Sequence, residues 1–219
     1  LVLFERCRGI DESTVEASHW VNGNDQLVAR PPKSIRREST FEPEEARFDL
    51  VEAMLAYLME RAATKLRGHG LMASSVEVNL RYVDTRTEKQ IKSSPVAAKT
   101  FRKQRKLTVP CDGTLALVEH ARKLLTELPR RRALVKRVGV ALTGLGETAG
   151  WQTNLFNDNA EDEAHNARDD RHRRIDSAVD DLREKLGFGL VLRGSSMPLI
   201  ETHPLDEDGF ELRTPSLNQ

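Results

Sequence analysis

Basic side chains in the middle of this 219-residue chain could bind a polyanion. The segment from Arg30 to Leu145 holds 24 Lys and Arg against 13 Asp and Glu, whereas Gly146 to Gln219 holds 8 against 16. Because Lys and Arg are the side chains that attract phosphate, the segregation predicts that the centre faces a polyanion and that the acidic tail stays away from it. The alternative is a basic surface that is merely solvated.

Residues of the types used in catalysis and metal binding are scattered. Cys7 and Cys111 lie far apart and lack the spacing of a zinc site or a disulfide framework. The six histidines also form no motif, at His19, His69, His120, His165, His172 and His203. We therefore assign no catalytic residue, no metal ligand and no cofactor to this chain.

The basic centre is predicted to be an α+β domain. Strand-like alternation and helical spacing of apolar residues follow one another in βαββαβ order. This order predicts a four-stranded antiparallel sheet with both helices on one face and the other face free for a ligand. The predicted elements are a strand over Ser34 to Phe41, a helix opened by Glu42-Pro43 and ended by Gly68, strands over Ser75 to Val83 and Lys99 to Val109, a helix over Thr114 to Leu128, and a strand over Val135 to Leu145.

The segments on either side of this domain are polar, and we expect them to be solvated extensions. Residues 1–32 contain Asn22-Gly23 and end in Pro31-Pro32, which is typical of a loop or linker. The segment from Glu147 to Arg168 is predicted to be disordered. A short amphipathic helix is predicted at about residues 170–186, from the spacing of Ile175, Ala178, Val179, Leu182 and Leu186. No apolar run is long enough for a membrane span.

Four short motifs together resemble a known family. Arg8-Gly9-Ile10-Asp11 resembles the end of a polymerase thumb, and Lys33 to Phe41 resembles the Lys-Ser-Ile-x-x-Glu-Thr-Thr-Phe strand of Y-family translesion DNA polymerases. Arg137 to Leu145 is similar to the last strand of their little-finger domain. Gln152 to Phe156 follows that strand, as does the peptide by which such polymerases hold the sliding clamp. The chain thus resembles the thumb end and little finger of a Y-family polymerase of the bacterial DNA polymerase IV type.

The resemblance implies a division of labour along the chain. Residues 1–32 would be the end of the thumb and a linker, 33–147 the DNA-binding little finger, and 148–219 the clamp peptide and tail. Duplex primer-template DNA would be held through its phosphates, which gives affinity without sequence preference. The expected contacts are Lys33, Ser34, Arg36, Thr40, Arg81, Lys99, Arg102, Lys103 and Arg105. Strand parity does not decide which members of the pairs Arg102/Lys103 and Arg105/Lys106 face DNA, since Leu107 and Val109 would turn Arg105 inward unless a bulge intervenes.

The clamp would be bound by the side chains of Gln152, Leu155 and Phe156. The polymerase reaction needs palm carboxylates that bind magnesium. This chain has no counterpart of the palm, so we expect the chain alone to be non-catalytic and its parent protein to be a DNA-directed DNA polymerase. The resemblance further implies a monomer in the bacterial cytoplasm, associated with the nucleoid and with no membrane partner.

Three alternatives have different sequence requirements. A non-catalytic relative that acts as an adaptor in DNA repair would carry the same domain. An RNA-recognition module shares the element order, but its third strand should offer two aromatic rings for base stacking, and only Phe101 is present. A small ferredoxin-like hydrolase would need a Gly-rich anion loop or a nucleophile paired with a base, and neither is visible.

Overall fold

The computed structural model describes residues 7–9, 19–21, 25–83, 100–147 and 160–213. The chain divides into two compact units, Leu1–Pro32 and Lys33–Gln219. Within the first unit, β1 (His19–Val21) pairs with β2 (Leu27–Ala29) in antiparallel fashion. The second unit contains β3 (Ser34–Glu45), α1 (Phe48–Gly68), β4 (Leu71–Tyr82), β5 (Thr100–Cys111), α2 (Thr114–Thr126), β6 (Val135–Glu147), α3 (Ala160–Leu186), two short 3-10 helices (Phe188–Leu190 and Gly194–Leu199), β7 (Leu205–Asp206) and β8 (Gly209–Phe210).

The predicted sheet is confirmed. Strands β3 to β6 form one four-stranded sheet in the order β3-β6-β4-β5, and every neighbouring pair is antiparallel. The core side chains of β4 and β6 alternate as predicted, with Val76 and Val78 opposite Leu142 and Val140. All four are fully buried, and α1 and α2 pack against that side of the sheet. The opposite side, which we call the open face, is polar.

Two predicted boundaries around α1 were wrong. Strand β3 continues through Pro43 to Glu45, and α1 begins only at Phe48. The pairing of β3 with β6 is interrupted between Thr40 and Glu45, so Pro43 lies where no ladder hydrogen bond is required. Proline therefore marked an irregularity in an edge strand and not the start of the helix.

The helix in the C-terminal third is longer than predicted, because α3 begins at Ala160 and not near residue 170. The expected disorder up to Arg168 was correspondingly wrong for residues 160–168. The first eleven residues of α3 show no helical spacing of apolar side chains, so the amphipathic pattern that guided the prediction starts only at Ile175. Straight-chain and small residues still favour helix over this stretch.

Helix α3 contacts α1 through charged side chains and not through its apolar stripe. Arg183 donates to Glu60 at 3.0 Å, and both side chains are almost fully buried. Arg67 of α1 binds Asp180 at 2.6 Å. The apolar side chains of α3 that predicted the helix are largely exposed: Ile175, Leu182 and Leu186. The amphipathic pattern therefore identified the helix but not the face by which it packs.

The residues after α3 complete a third layer. Phe210 is buried against Tyr57, with ring centroids 5.0 Å apart, and Leu199 also joins the core. The Tyr57 hydroxyl accepts the backbone N–H of Phe210 at 2.8 Å. Gly209 adopts φ of +104°, and a side chain there would clash with the same hydroxyl. The expectation of a solvated tail is thus wrong for residues 176–210, which contribute buried side chains, and we call the described residues 160–213 the C-terminal layer.

Candidate nucleic-acid interface

The register of the sheet places sixteen side chains on the open face, four from each strand. Residues opposite one another across antiparallel strands share a face, so each aligned set forms a row across the sheet. In the order β3, β6, β4, β5, the rows are Ser34, Thr143, Ser75, Lys106; Arg36, Ala141, Glu77, Gln104; Glu38, Gly139, Asn79, Arg102; and Thr40, Arg137, Arg81, Thr100. None of these sixteen residues is aromatic.

The open face has an excess of positive charge. Five of its side chains are basic and two are acidic, which gives a formal charge of +3. Each acid lies near one arginine: Arg36 is 3.6 Å from Glu77, and Arg137 is 3.4 Å from Glu38. The cations without an acidic partner on this face, Arg81, Arg102 and Lys106, lie on β4 and β5 and leave the positive charge concentrated on that half of the sheet.

Arg81 carries an unsatisfied donor within this face. Its Nε atom is buried and has no hydrogen-bond partner. Arg81 is aligned with Arg137 of β6, so the last row contains two arginines, and the Arg137 guanidinium is directed towards Thr40 and Glu38 of β3. A buried donor without a partner costs free energy, and an oxyanion that reached it would recover that cost. This row is therefore well suited to an anionic group.

The centre of the open face is lined by small residues. Gly139 and Ala141 of β6 are both buried, and their neighbours Asn79 and Glu38 close over them. A Cβ atom added to Gly139 would lie 2.7 Å from Asn79 Nδ2 and 2.8 Å from Glu38 Cγ, so glycine is the residue that fits there. The space above Gly139 is thus filled by the side chains of Asn79 and Glu38, which reach over β6 from the two neighbouring strands.

Strand β5 carries basic residues on both of its sides. Arg102 and Lys106 lie on the open face, whereas Lys103 and Arg105 lie on the side that faces the helices. Leu107, only 5% exposed, shares the inward side with Arg105 and anchors this register. Lys103 and Arg105 both bind the Glu127 carboxylate at the end of α2, at 2.8 and 2.5 Å. These two hydrogen bonds lower the pKa of Glu127, and the bond from Lys103 has the larger effect.

The predicted DNA contacts therefore fall in different places. Ser34, Arg36, Thr40, Arg81 and Arg102 share the open face, and Lys33 is exposed directly before β3. Lys103 and Arg105 lie across the edge of β5. Lys99 lies outside the described residues, as do the predicted clamp-binding residues Gln152, Leu155 and Phe156.

Two basic residues of the open face were missed by the sequence analysis, Arg137 and Lys106. Arg137 alternates with Val138, Val140 and Leu142 in the predicted strand, so parity alone places it away from the core. Lys106 lies between Arg105 and Leu107, which face inward, so the same parity places it on the open face; the sequence left this choice open because a bulge would have reversed it. In addition, the described residues contain no group of three or more His, Cys, Asp or Glu side chains that could hold a metal ion.

Comparison with known proteins agrees with this architecture. Residues 32–155, more than half of the chain, match the impB/mucB/samB family C-terminal domain. The chain belongs to this family. Its C-terminal layer lies beyond the matched residues.

Relatives of this family member include bacterial proteins described as DNA polymerase IV. The protein from Dehalococcoides mccartyi is 31% identical over 198 residues, which are 90% of this chain and 42% of that protein. The protein from Desulfatibacillum aliphaticivorans is 26% identical over 193 residues, 85% of this chain and 43% of that protein. The chain thus spans about two fifths of the length of these relatives, and the predicted resemblance to DNA polymerase IV is confirmed.

Among solved structures, a Y-family DNA polymerase chimera aligns with a TM-score of 0.39 and 15% identity, over 67% of this chain and 35% of that chain.

Among the residues that the structure describes, no helix combines the length and the apolar character needed to cross a membrane.

Proposed function

We propose that this chain holds duplex DNA on its open face, without reading the base sequence, as the little-finger part of a translesion DNA polymerase. The observation that carries the proposal is the four-row polar face with a formal charge of +3, on the side of the sheet opposite α1 and α2. Lys and Arg side chains bind the phosphates of either strand, and the strength of this binding does not depend on the bases.

The dimensions of the open face suit a duplex. Four strands spaced about 4.8 Å apart give a surface whose width is on the order of 15 to 20 Å, and side chains on one face recur about every 7 Å along each strand. Flexible basic side chains at that spacing can follow a phosphate backbone, whereas base readout needs a rigid element inserted into a groove. A polymerase that copies damaged DNA benefits from such contacts, because they tolerate altered bases.

The relatives described as DNA polymerase IV support the wider part of the proposal. We infer that the parent protein is a DNA-directed DNA polymerase acting on primer-template DNA in damage repair. Its magnesium-dependent chemistry would reside in a palm domain, while this chain supplies binding and no catalysis. We also propose that the protein is monomeric and resides in the bacterial cytoplasm, at the nucleoid.

Tethering to the sliding clamp is a second element of the proposed function. Residues 148–159 connect β6 to α3, and Gln152, Leu155 and Phe156 lie within this connection. Both ends of the connection belong to ordered elements of one unit, so a peptide held there would couple the clamp directly to the DNA-binding sheet. Short peptides that order on binding are weak to moderate ligands, which suits a tether that must release.

The clamp proposal can be tested by pull-down with a bacterial sliding clamp. The double substitution Leu155→Ala and Phe156→Ala should abolish the association. Asn157→Ala and Asp158→Ala in the same connection provide the matched control and should leave it intact. Retention of the clamp by the first variant would contradict the assignment.

The DNA proposal can be tested by titrating the full chain with blunt duplexes of unrelated sequence at several salt concentrations. Affinity should be equal among sequences and should fall steeply with salt. Replacing Arg36 and Arg81 by Ala should make the negative slope of log K against log salt shallower by about 1.8, since each phosphate contact contributes about 0.9. The control replaces Arg171 and Arg174, two exposed cations of α3, and should leave the slope unchanged. Salt-independent or sequence-selective binding would refute the proposal.

A further inference from the structure

A second basic surface lies across the edge of β5 from the open face. Lys103 and Arg105 lie there on the helix-facing side, and 43% of each side chain remains exposed although both bind Glu127. One carboxylate partly neutralises two cations, so this pair keeps a net positive charge. His120 of α2 adds no charge at neutral pH, because burial, together with the nearby Lys123 and Arg105, lowers its pKa.

A further arginine extends this surface at the start of β5. The Arg131 guanidinium lies over the Phe101 ring, 4.7 Å from the ring centroid. Arg131 is exposed and is supported by this ring. An arginine stacked on an aromatic ring presents its other planar side outward, where an unpaired base can stack.

The position of Arg131 is further fixed by Tyr82. The Tyr82 ring packs edge-to-face against Phe101, with centroids 6.0 Å apart. Its hydroxyl accepts the backbone N–H of Arg131 at 3.4 Å and donates to the carbonyl of Pro129 at 3.1 Å. The guanidinium plane is thus held on an ordered platform, which lowers the entropic cost of using it for binding.

We propose that this surface, the β5-edge track formed by Arg131, Lys103 and Arg105, binds single-stranded DNA continuing from the duplex on the open face. The track is one strand wide, carries the phosphate-binding cations Lys103 and Arg105 in line along β5, and offers one ring-backed guanidinium plane at Arg131. Bases in a duplex are stacked on one another and cannot use such a plane, whereas unpaired bases can. The open face has the opposite character, since it is broad and carries no aromatic ring.

Glu127 occupies the position that a phosphate would take on the track. Its carboxylate binds Lys103 and Arg105 at hydrogen-bonding distance, so an incoming phosphate competes with it for the same donors. Neutralising Glu127 should therefore strengthen binding of single-stranded DNA. If Lys103 and Arg105 serve only to hold the end of α2, the same change should weaken the fold and leave DNA binding unaltered.

The experiment uses the full chain and three fluorescent probes: a blunt duplex, the same duplex with an unpaired thymidine overhang, and oligothymidine alone. Glu127→Gln should tighten binding of the two probes with unpaired thymidines about 2- to 5-fold and leave the blunt duplex nearly unchanged. The matched control is Glu184→Gln, which removes an exposed acid on α3 and should change none of the three.

Removal of the cations tests the same proposal from the other direction. Lys103→Ala with Arg105→Ala should lower the salt slope for oligothymidine by about 1.4, since each single-strand contact contributes about 0.7. Arg131→Lys keeps the charge but loses the stacked plane, and it should weaken overhang binding. Circular dichroism of each variant identifies any loss of fold.

This inference rests on the proposed function, because it assumes a duplex on the open face. The outcomes of the experiments nevertheless distinguish the two. An overhang that adds no affinity, or identical effects of Glu127→Gln and Glu184→Gln, would overturn the track. Failure of Arg36→Ala and Arg81→Ala to weaken blunt-duplex binding would contradict the proposed function. In that case, the oligothymidine titration would still show whether the track binds single-stranded DNA.

Discussion

The open face and the C-terminal layer both contain several arginines, but the two regions use them differently. In the C-terminal layer, Arg183 is 3% exposed and binds Glu60, whose carboxylate also lies 3.2 Å from Arg193. On the open face, acids are fewer than cations, and Arg81 has no acidic partner among the residues of that face. An arginine with a buried acidic partner stabilises the fold, whereas one in excess of the acids is available to a ligand. Charge balance around each arginine, and not arginine content, distinguishes the two roles.

The comparison predicts that replacing an arginine by alanine lowers stability strongly in the C-terminal layer and only slightly on the open face. Arg183→Ala leaves the fully buried Glu60 carboxylate without its main partner and should lower the free energy of unfolding by about 3–5 kcal/mol. Arg81→Ala should cost less than about 1 kcal/mol. Urea denaturation of both variants measures the difference.

DNA binding should show the reverse order for the same pair of variants. Arg81→Ala should weaken duplex binding, while Arg183→Ala, measured where it remains folded, should bind as the unchanged chain does. Equal losses of stability in the two variants would remove the basis for separating the regions.

A second prediction concerns how the C-terminal layer is attached to α1. The Tyr57 hydroxyl accepts hydrogen bonds from Arg61 at 3.0 Å and from the Phe210 backbone at 2.8 Å. Tyr57→Phe keeps the packing against Phe210 but leaves that buried N–H without an acceptor, which should cost about 1–3 kcal/mol. The control is Tyr82→Phe, because the Tyr82 hydroxyl bonds with Pro129 and Arg131, which lie in the connection between α2 and β6. Limited proteolysis should release the C-terminal layer in Tyr57→Phe and not in Tyr82→Phe.

A third prediction sharpens the charge balance of the open face. Glu77 lies 3.6 Å from Arg36 and lowers the positive charge available to DNA. Glu77→Gln should tighten duplex binding about 2- to 5-fold, because it removes a negative charge from the open face and releases the half-exposed Arg36 side chain from its ion pair. Asp180→Asn in the C-terminal layer removes the same charge but should lower stability and leave DNA affinity unchanged. A weaker duplex complex for Glu77→Gln would show that the acid orders Arg36 for binding.

The open face was largely predictable from sequence, whereas the C-terminal layer was not. Strands with strict alternation, such as that containing Val76 and Val78, fix which side chains point away from the core. The placement of Lys103 required the register of β5, which follows from long-range pairing. Helix α3 packs through Asp176, Asp180 and Arg183, and such charged contacts have no periodic sequence pattern because each depends on a partner elsewhere in the chain.

The smallest expected effect is a pH dependence where the tail meets β3. His203 packs edge-to-face against Phe41, with centroids 6.1 Å apart, and Glu45 and Arg213 are the charged groups that act on it. Burial is the main cause that lowers its pKa below the ordinary value of 6.5, Arg213 adds to it, and Glu45 opposes it. The unfolded chain therefore binds more protons at this site once the pH falls below about 6.5, and protonation favours unfolding. The contribution of His203 to stability is complete above that pH and is lost as the pH decreases towards the lowered pKa.

Comparison with His203→Gln isolates this contribution, because glutamine does not titrate. The difference in unfolding free energy between the unchanged chain and His203→Gln should be constant from pH 8 to 7 and should move in favour of the variant at pH 5.5. His120, whose pKa is also lowered, is present in both proteins, so its contribution cancels in the difference. DNA affinity at these pH values should be the same for both, since His203 lies in the contact between β3 and the C-terminal layer and not on the open face. Parallel stability curves would mean that the His203 ring is equally solvated in the folded and unfolded chain, and that this end of the C-terminal layer is held without it.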